Sequence, residues 1–243
     1  MRAILLVLAV ASGAAGEQRV HLGFEQGSLA GWRTDKLAHA DSAVTVTNPV
    51  RKGLHAVRFQ LRAADSPRND GIRAELQDDY HAPRGREVWY SFSTYIAEDF
   101  PRWEKNSVIS QWKGSTDKGE YDDRSPMLAH RYWNGALVID MRVSTEALQQ
   151  ANDGQVRTLL RVEEFPRGVW HDFRHRVVWS HEQGELDIWL NGKQVVSYRG
   201  PVGYNDRRGP YFKLGLYHHD GGPKPFVIYH DEYKRGLTRG DVD

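Results

Sequence analysis

Apolar and polar side chains alternate with a period of two along most of this chain, the signature of half-buried strands. About fourteen such runs can be marked: Arg19–Phe24, Ala43–Val46, His55–Leu61, Ile72–Gln77, Glu87–Ile96, Ser107–Lys113, Met127–Tyr132, Ala136–Val143, Val156–Val162, Trp170–Trp179, Glu185–Leu190, Lys193–Tyr198, Tyr211–His218 and Phe226–Lys234. Val, Ile, Tyr, Phe and Trp enrich them, and Gly, Pro, Asn and Asp sit at their ends. Asn134-Gly135 and Asn191-Gly192 are dipeptides suited to two-residue hairpin turns. Only Thr145–Asn152 reads as a short helix, with Ser144 as its cap.

This many short strands, with no internal repeat, linker or low-complexity stretch, predicts an all-β fold. Two packed antiparallel sheets forming a β-jelly roll, a lectin-like sandwich, are expected. At 243 residues the chain fits one domain with a substantial core. The N-terminus adds an address. Met1-Arg2 is a short positive start, Ala3–Ala11 is apolar, and Ser12–Gly16 supplies small residues for cleavage. That pattern predicts a signal peptide over 1–15 and a single domain over 16–243, secreted or periplasmic. No other run is long enough to span a membrane. With 0 Cys there are no disulfides or thiolate ligands, which suits a bacterial exported protein. Basic and acidic residues nearly balance, 33 against 32, so no nucleic-acid partner is implied. A monomer without membrane contact is expected.

The chemistry concentrates on a few strand faces. In Tyr211–Tyr217, Phe212, Leu214 and Leu216 point to a core, while Tyr211, Lys213, Gly215 and Tyr217 point the other way. Gly215 would let a ligand approach the backbone. Arg73, Glu75 and Gln77 share a face opposite Ile72, Ala74 and Leu76, and Ile109, Gln111 and Lys113 share another. An Arg, a Gln, a Lys and a Tyr in one groove would suit a sugar bearing a carboxylate. The 8 Trp and 11 Tyr fit a groove that stacks sugar rings, although sandwich cores also consume aromatics. Arg73 with Glu75 reads equally well as a structural ion pair. Arg207-Arg208 reads as an extension of the groove or as an exposed turn, and the Asp117–Arg124 stretch as a loop at its border.

These residues resemble the jelly-roll alginate lyases. That family carries Arg-Ser/Thr-Glu-Leu/Val-Arg, Gln-Ile/Val-His and Tyr-Phe-Lys-Ala-Gly-x-Tyr motifs. Here Arg73-Ala74-Glu75-Leu76-Gln77, Gln111-Trp112-Lys113 and Tyr211-Phe212-Lys213-Leu214-Gly215-Leu216-Tyr217 follow in the same order. The wider pattern is similar to polysaccharide lyases of the heparin lyase I and glucuronan lyase kind. It comprises Phe24-Glu25-Gln26-Gly27, Gln111-Trp112, Arg124-Ser125-Pro126, Trp189-Leu190-Asn191-Gly192-Lys193 and Tyr229-His230-Asp231. The resemblance implies β-elimination on a uronic-acid polysaccharide. Arg73 and Gln111 would neutralise the uronate, and Tyr217 would act as general acid and base, its phenolate favoured by Lys213. An alkaline optimum follows.

Lys113 departs from the family, which places a His there. Lysine is a poor base near neutrality unless burial or a cationic neighbour lowers its pKa. His130 and His219 are candidates to replace the missing imidazole, and Trp112, Tyr211 and Glu75 are candidate substrate contacts. The resemblance requires no cofactor, but Glu25 and Asp231 match carboxylates that hold a structural Ca²⁺ in such sandwiches. Two rivals stand beside the lyase. A lectin-like protein would bind acidic glycan without turnover. A glycoside hydrolase would need paired carboxylates, and Glu185-Leu186-Asp187 offers an incomplete set.

Overall fold

The structure is a computed structural model that describes residues 19–62, 64–65, 71–152, 154–218 and 225–243. In chain order its strands are β1 (Val20–Leu22), β2 (Arg33–Leu37), β3 (Ala43–Val46), β4 (Ala56–Leu61), β5 (Ile72–His81), β6 (Glu87–Ile96), β7 (Ser107–Lys113), β8 (Leu128–Trp133), β9 (Ala136–Val143), β10 (Gln155–Val162), β11 (Trp170–Val178), β12 (Ser180–Leu190), β13 (Lys193–Val202), β14 (Tyr211–His218) and β15 (Phe226–Gly236). They form two antiparallel sheets, the expected jelly roll. One runs β13-β12-β11-β6-β15-β4-β3, with β1 also on β15; the other runs β10-β9-β8-β7-β14-β5-β2. The hairpin turns are as expected: Asn134 and Gly135 have φ of 48° and 91°, and Asn191 and Gly192 have 49° and 79°. Asn and Gly tolerate that left-handed backbone, and its twist matches the flanking strands.

The alternation fixes which residues meet between the sheets. Phe92 of β6, Phe173 of β11, Trp112 of β7 and Phe212 of β14 are buried there in one cluster. Trp112 lies 4.7 Å from Phe212 and 5.4 Å from Tyr90, centroid to centroid. Such packing supplies most of the favourable energy of the fold.

One strand was not anticipated, and three expectations are corrected. Strand β2 (Arg-Thr-Asp-Lys-Leu) has no apolar alternation to betray it, and pairing with β5 makes it a strand. Thr145–Asn152 is not helical. Ser144 Oγ accepts from Glu146 N in a local turn, while Gln149 N donates to Glu120 and Gln149 O accepts from Tyr121 N. Those bonds use backbone groups a helix would need. Ile109 does not share a face with Gln111. Val108 pairs with Arg131 while Ser110 pairs with His130, so a bulge at Ile109 turns that side chain into the core and leaves Val108 outside. Gly215 (φ 135°) does not open backbone to a ligand, because a Cβ there would strike Ala74 O and the Glu75 backbone of β5.

The core also holds three histidines. His130 Nε2 and His175 Nε2 are 3.0 Å apart, and His230 Nδ1 is 3.0 Å from Thr94 Oγ1. Burial pushes His130 and His230 down to about 3, and His175 well below its usual range. All three are therefore neutral in the folded chain and take up protons on unfolding as pH falls below about 6.5. Their stabilising neutrality is complete above that pH and is lost progressively from 6.5 towards 3. Each contributes a slope of up to roughly 1.4 kcal/mol per pH unit. Urea midpoints measured from pH 7 to pH 4.5 should fall steeply, and His175→Leu should flatten that fall. A midpoint independent of pH would contradict the burial of neutral imidazoles.

Candidate active site

Three adjacent strands, β5, β14 and β7, carry the outward face on which the chemistry collects. Register sets Tyr217 beside Arg73, Gly215 beside Glu75, and Lys213 between Gln77 and Gln111. Glu75 is only 2% exposed. One of its oxygens accepts from Gln111 Nε2, and the other lies 3.2 Å from Lys213 Nζ and 4.0 Å from Arg73 Nη1. A single buried carboxylate thus ties together side chains of all three strands. The Arg73 guanidinium also sits over the Tyr217 ring, 4.6 Å from its centroid. The cation expected beside Tyr217 was Lys213; the one found there is Arg73, since Lys213 turns to Glu75 and lies 5.9 Å from the Tyr211 centroid. Tyr211 packs in turn on His81, 5.2 Å away.

A cavity of about 110 Å³ opens over these residues, lined by Arg73, Gln111, Lys113, Lys213 and Tyr217. Asp123, Arg124 and Ser125 wall one side, as expected of the Asp117–Arg124 loop, and Arg131 of β8 closes another. Lys113 Nζ donates to the Arg124 carbonyl. Burial, then the charge of Lys213, push the Lys113 ammonium down to about 8. The loop is held from beneath. The Arg124 guanidinium, 2% exposed, makes paired bonds to Asp206 at 2.8 and 2.9 Å and reaches Glu120 at 3.2 Å. Tyr204 Oη donates to Ser125 O at 3.0 Å.

Arg73, Gln111, Lys113, Lys213, Tyr211, Tyr217 and Glu75 therefore share one region. Glu75 is corrected from substrate contact to support, because its oxygens are taken by its neighbours. His130 and Trp112 are corrected outright. His130 neighbours Arg131, and Trp112 neighbours Gln111, so alternation turns both inward, where they are fully buried between the sheets. His219 lies outside the described residues. Arg207, 92% exposed, stands at the loop surface, its backbone N donating to Asp117. Arg131 was not singled out from the sequence; it lies next to the inward His130 on β8 and so faces outward, into the cavity. It is held by Asp140 at 2.9 Å and by Asn106 at 2.9 Å.

The pair assigned to calcium converges on one loop, but not as a metal cage. Asp231 accepts from the backbone N of Arg51 and Lys52, and Glu25 from that of Leu54 and His55. Oxygens engaged with N–H donors do not match a calcium shell. Among the described residues no group of three or more His, Asp or Glu side chains is placed to hold a metal. Glu185 and Asp187 are no hydrolase pair either. Both are bonded to Arg176, at 2.6 and 3.1 Å, on the outer face of the other sheet. A larger depression of about 420 Å³ on that sheet is lined by charges that pair with each other, Arg51 with Asp172 and Arg174 with Asp243.

A polysaccharide lyase family model matches residues 24–234. The chain belongs to the polysaccharide lyase family. No curated protein matches it significantly in sequence. Among solved structures, an endo-β-1,4-glucuronan lyase from the fungus Trichoderma reesei is similar, with 23% identity, 89% of this chain and 95% of that one covered, and a TM-score of 0.75. An alginate lyase from Pseudomonas aeruginosa is similar at 19% identity, with coverage of 87% and 100% and a TM-score of 0.58. A family 7 alginate lyase solved with product has 13% identity, coverage of 82% and 85%, and a TM-score of 0.58. Those likenesses establish the shared jelly roll. This lyase has no helix among its described residues long and apolar enough to cross a membrane.

Removing Glu75 from this lyase would leave Lys213 buried without its carboxylate. Glu75→Ala should cost about 3–5 kcal/mol of stability. In the double variant Glu75→Gln with Lys213→Met the loss should be less than the sum of the two single losses. Urea unfolding of the four proteins checks this, and strict additivity would contradict the pairing.

Proposed function

We propose that this polysaccharide lyase cleaves a uronic-acid polymer of glucuronan, alginate or glycosaminoglycan type by β-elimination at the β5–β14–β7 face. The observation that carries the reading is the convergence of Arg73, Gln111, Lys213 and Tyr217 on one small cavity. Loss of the C5 proton sends charge onto the sugar carboxylate. Fixed donors aimed at that carboxylate stabilise the developing enolate more than the ground state. Arg73 and Gln111 are held by Glu75, so they arrive preorganised. Tyr217, steadied by the Arg73 guanidinium, is half-buried and lines the cavity, where it can donate its hydroxyl proton to the departing glycosidic oxygen. Glucuronan is the first substrate to assay, because the fungal glucuronan lyase shares more of the fold than the alginate lyases named above. Residues 1–15 are proposed to direct export and to be removed, leaving one domain over 16–243 that acts as a monomer outside the cytoplasm.

Turnover should generate an unsaturated non-reducing end that absorbs near the ultraviolet edge. Tyr217→Phe should lower that rate by about 10²–10⁴-fold while leaving polymer binding largely intact. Arg73→Ala should weaken both binding and rate. Binding of acidic polymer by the unaltered protein with no new absorbance, across glucuronan, alginate, heparin and hyaluronan, would make it a lectin-like binder and end the eliminase reading. Raised salt should weaken binding, since cations provide the contacts.

A further inference from the structure

We propose that Lys113 is the general base that removes the C5 proton, and that the buried Arg124–Asp206 pair positions it. The inference rests on the lyase reading above and assigns the base that reading leaves open. Two lysines line the cavity from neighbouring strands, and their surroundings differ. Lys213 is ion-paired to the buried Glu75, 3.2 Å away. Lys113 has no carboxylate within ion-pair distance among the described residues; its Nζ is bonded to a neutral carbonyl, Arg124 O. Of the two, Lys113 is therefore the amine that faces the cavity without a carboxylate partner. Desolvation beside a second cation is the arrangement that turns a lysine into a base near neutral pH.

The groups around Lys113 account for its charge from every side. Lys213 and Tyr211 face it from β14, Glu75 and His81 from β5, Arg131 from β8, and Asp123 and Arg124 from the loop. Burial and Lys213 lower its pKa, to about 8, while Asp123 and Glu75 act in the opposite sense. Geometry then aims the lone pair. A neutral amine carries two N–H bonds and one lone pair. With one hydrogen fixed on Arg124 O, the lone pair is free to face the cavity shared with Gln111 and Tyr217.

The carbonyl that fixes Lys113 is itself immobilised. Arg124 is clamped by two bonds to Asp206, by Glu120 and by Gln149, and its guanidinium stacks 4.9 Å from the Tyr204 ring centroid. Asp206, Glu120, Gln149 and Tyr204 do not line the cavity, so they act on the reaction through the Arg124 segment that they hold and the carbonyl it offers to Lys113. In the step itself the Lys113 lone pair takes the C5 proton, and the C5–H electrons become the C4=C5 double bond. The C4–O pair leaves on the glycosidic oxygen, which takes the Tyr217 proton. Transfer of the proton from the Lys113 ammonium to the Tyr217 phenolate, through water, restores both groups.

The test is the pH dependence of kcat/KM on a uronate polymer, with folding of each variant confirmed by circular dichroism. The unaltered enzyme should show an acid limb near pH 8. Lys113→Arg keeps the positive charge but cannot act as a base, and should lose about 10²–10⁴-fold in kcat with little change in KM. Lys113→His should recover at least tenfold over Lys113→Arg, with its acid limb displaced below pH 7. Asp206→Asn, which loosens the loop and admits water, should move the acid limb upward; a uniform loss at all pH values would make the Arg124–Asp206 pair merely structural. Retention of more than a tenth of kcat/KM by Lys113→Arg, with an unchanged profile, would overturn the base assignment while leaving the lyase standing. Absence of unsaturated product from the unaltered enzyme would instead overturn the lyase reading. One readout is independent of turnover: ¹³C-dimethyl-lysine NMR should show one resonance, missing in Lys113→Arg, that titrates near 8. Titration of that resonance with the surface lysines would overturn the base assignment whatever the activity.

Discussion

The Glu75 carboxylate is the constraint on which the rest of the site depends. A buried carboxylate is costly unless its oxygens are filled by donors of matching charge and geometry. Here the donors come from the two strands that follow β5 in space, Lys213 from β14 and Gln111 from β7. The ion pair thereby does two tasks. It offsets the burial of both charges, and it fixes the side chains that line the cavity. Arg73 stays near enough to feel Glu75 yet reaches over Tyr217. A surface rich in cations is thus supported by a carboxylate set one layer deeper.

A second layer of the same logic lies under the loop. Arg124 is buried with Asp206, Glu120 and Gln149, and its backbone carbonyl accepts from Lys113. The two buried cations nearest the cavity floor and wall, Lys213 and Arg124, are each committed to carboxylates. Lys113, bonded to a carbonyl, differs from both, and the base assignment proposed above rests on that difference.

Much of the fold was legible because alternation is a local property. Ile72–Gln77 and Tyr211–Tyr217 put their apolar residues inward as read, and the two Asn-Gly turns closed the hairpins they signalled. Errors arose where partners distant in sequence intervene. The bulge at Ile109 depends on how β7 meets β8, so the inward turn of Ile109 does not follow from the local pattern. Strand β2 exists because β5 offers it an edge, and 145–152 is drawn out of helix by bonds to Glu120 and Tyr121. His130 and Trp112 were misplaced for a different reason. Their chemistry suggested a role that their own alternation with Arg131 and Gln111 already denied.

The order of strands carries one more consequence, for how the chain reaches this state. Strands β14 and β15 come late in the sequence, yet each lies mid-sheet: β14 between β7 and β5, β15 between β6 and β4. Until they emerge, both halves of each sheet present unpaired edges, which are prone to mispairing. Completion therefore waits for long-range insertion events, and such topologies close slowly. During synthesis the polypeptide stays open until these two strands arrive, and that interval is hazardous if prolonged.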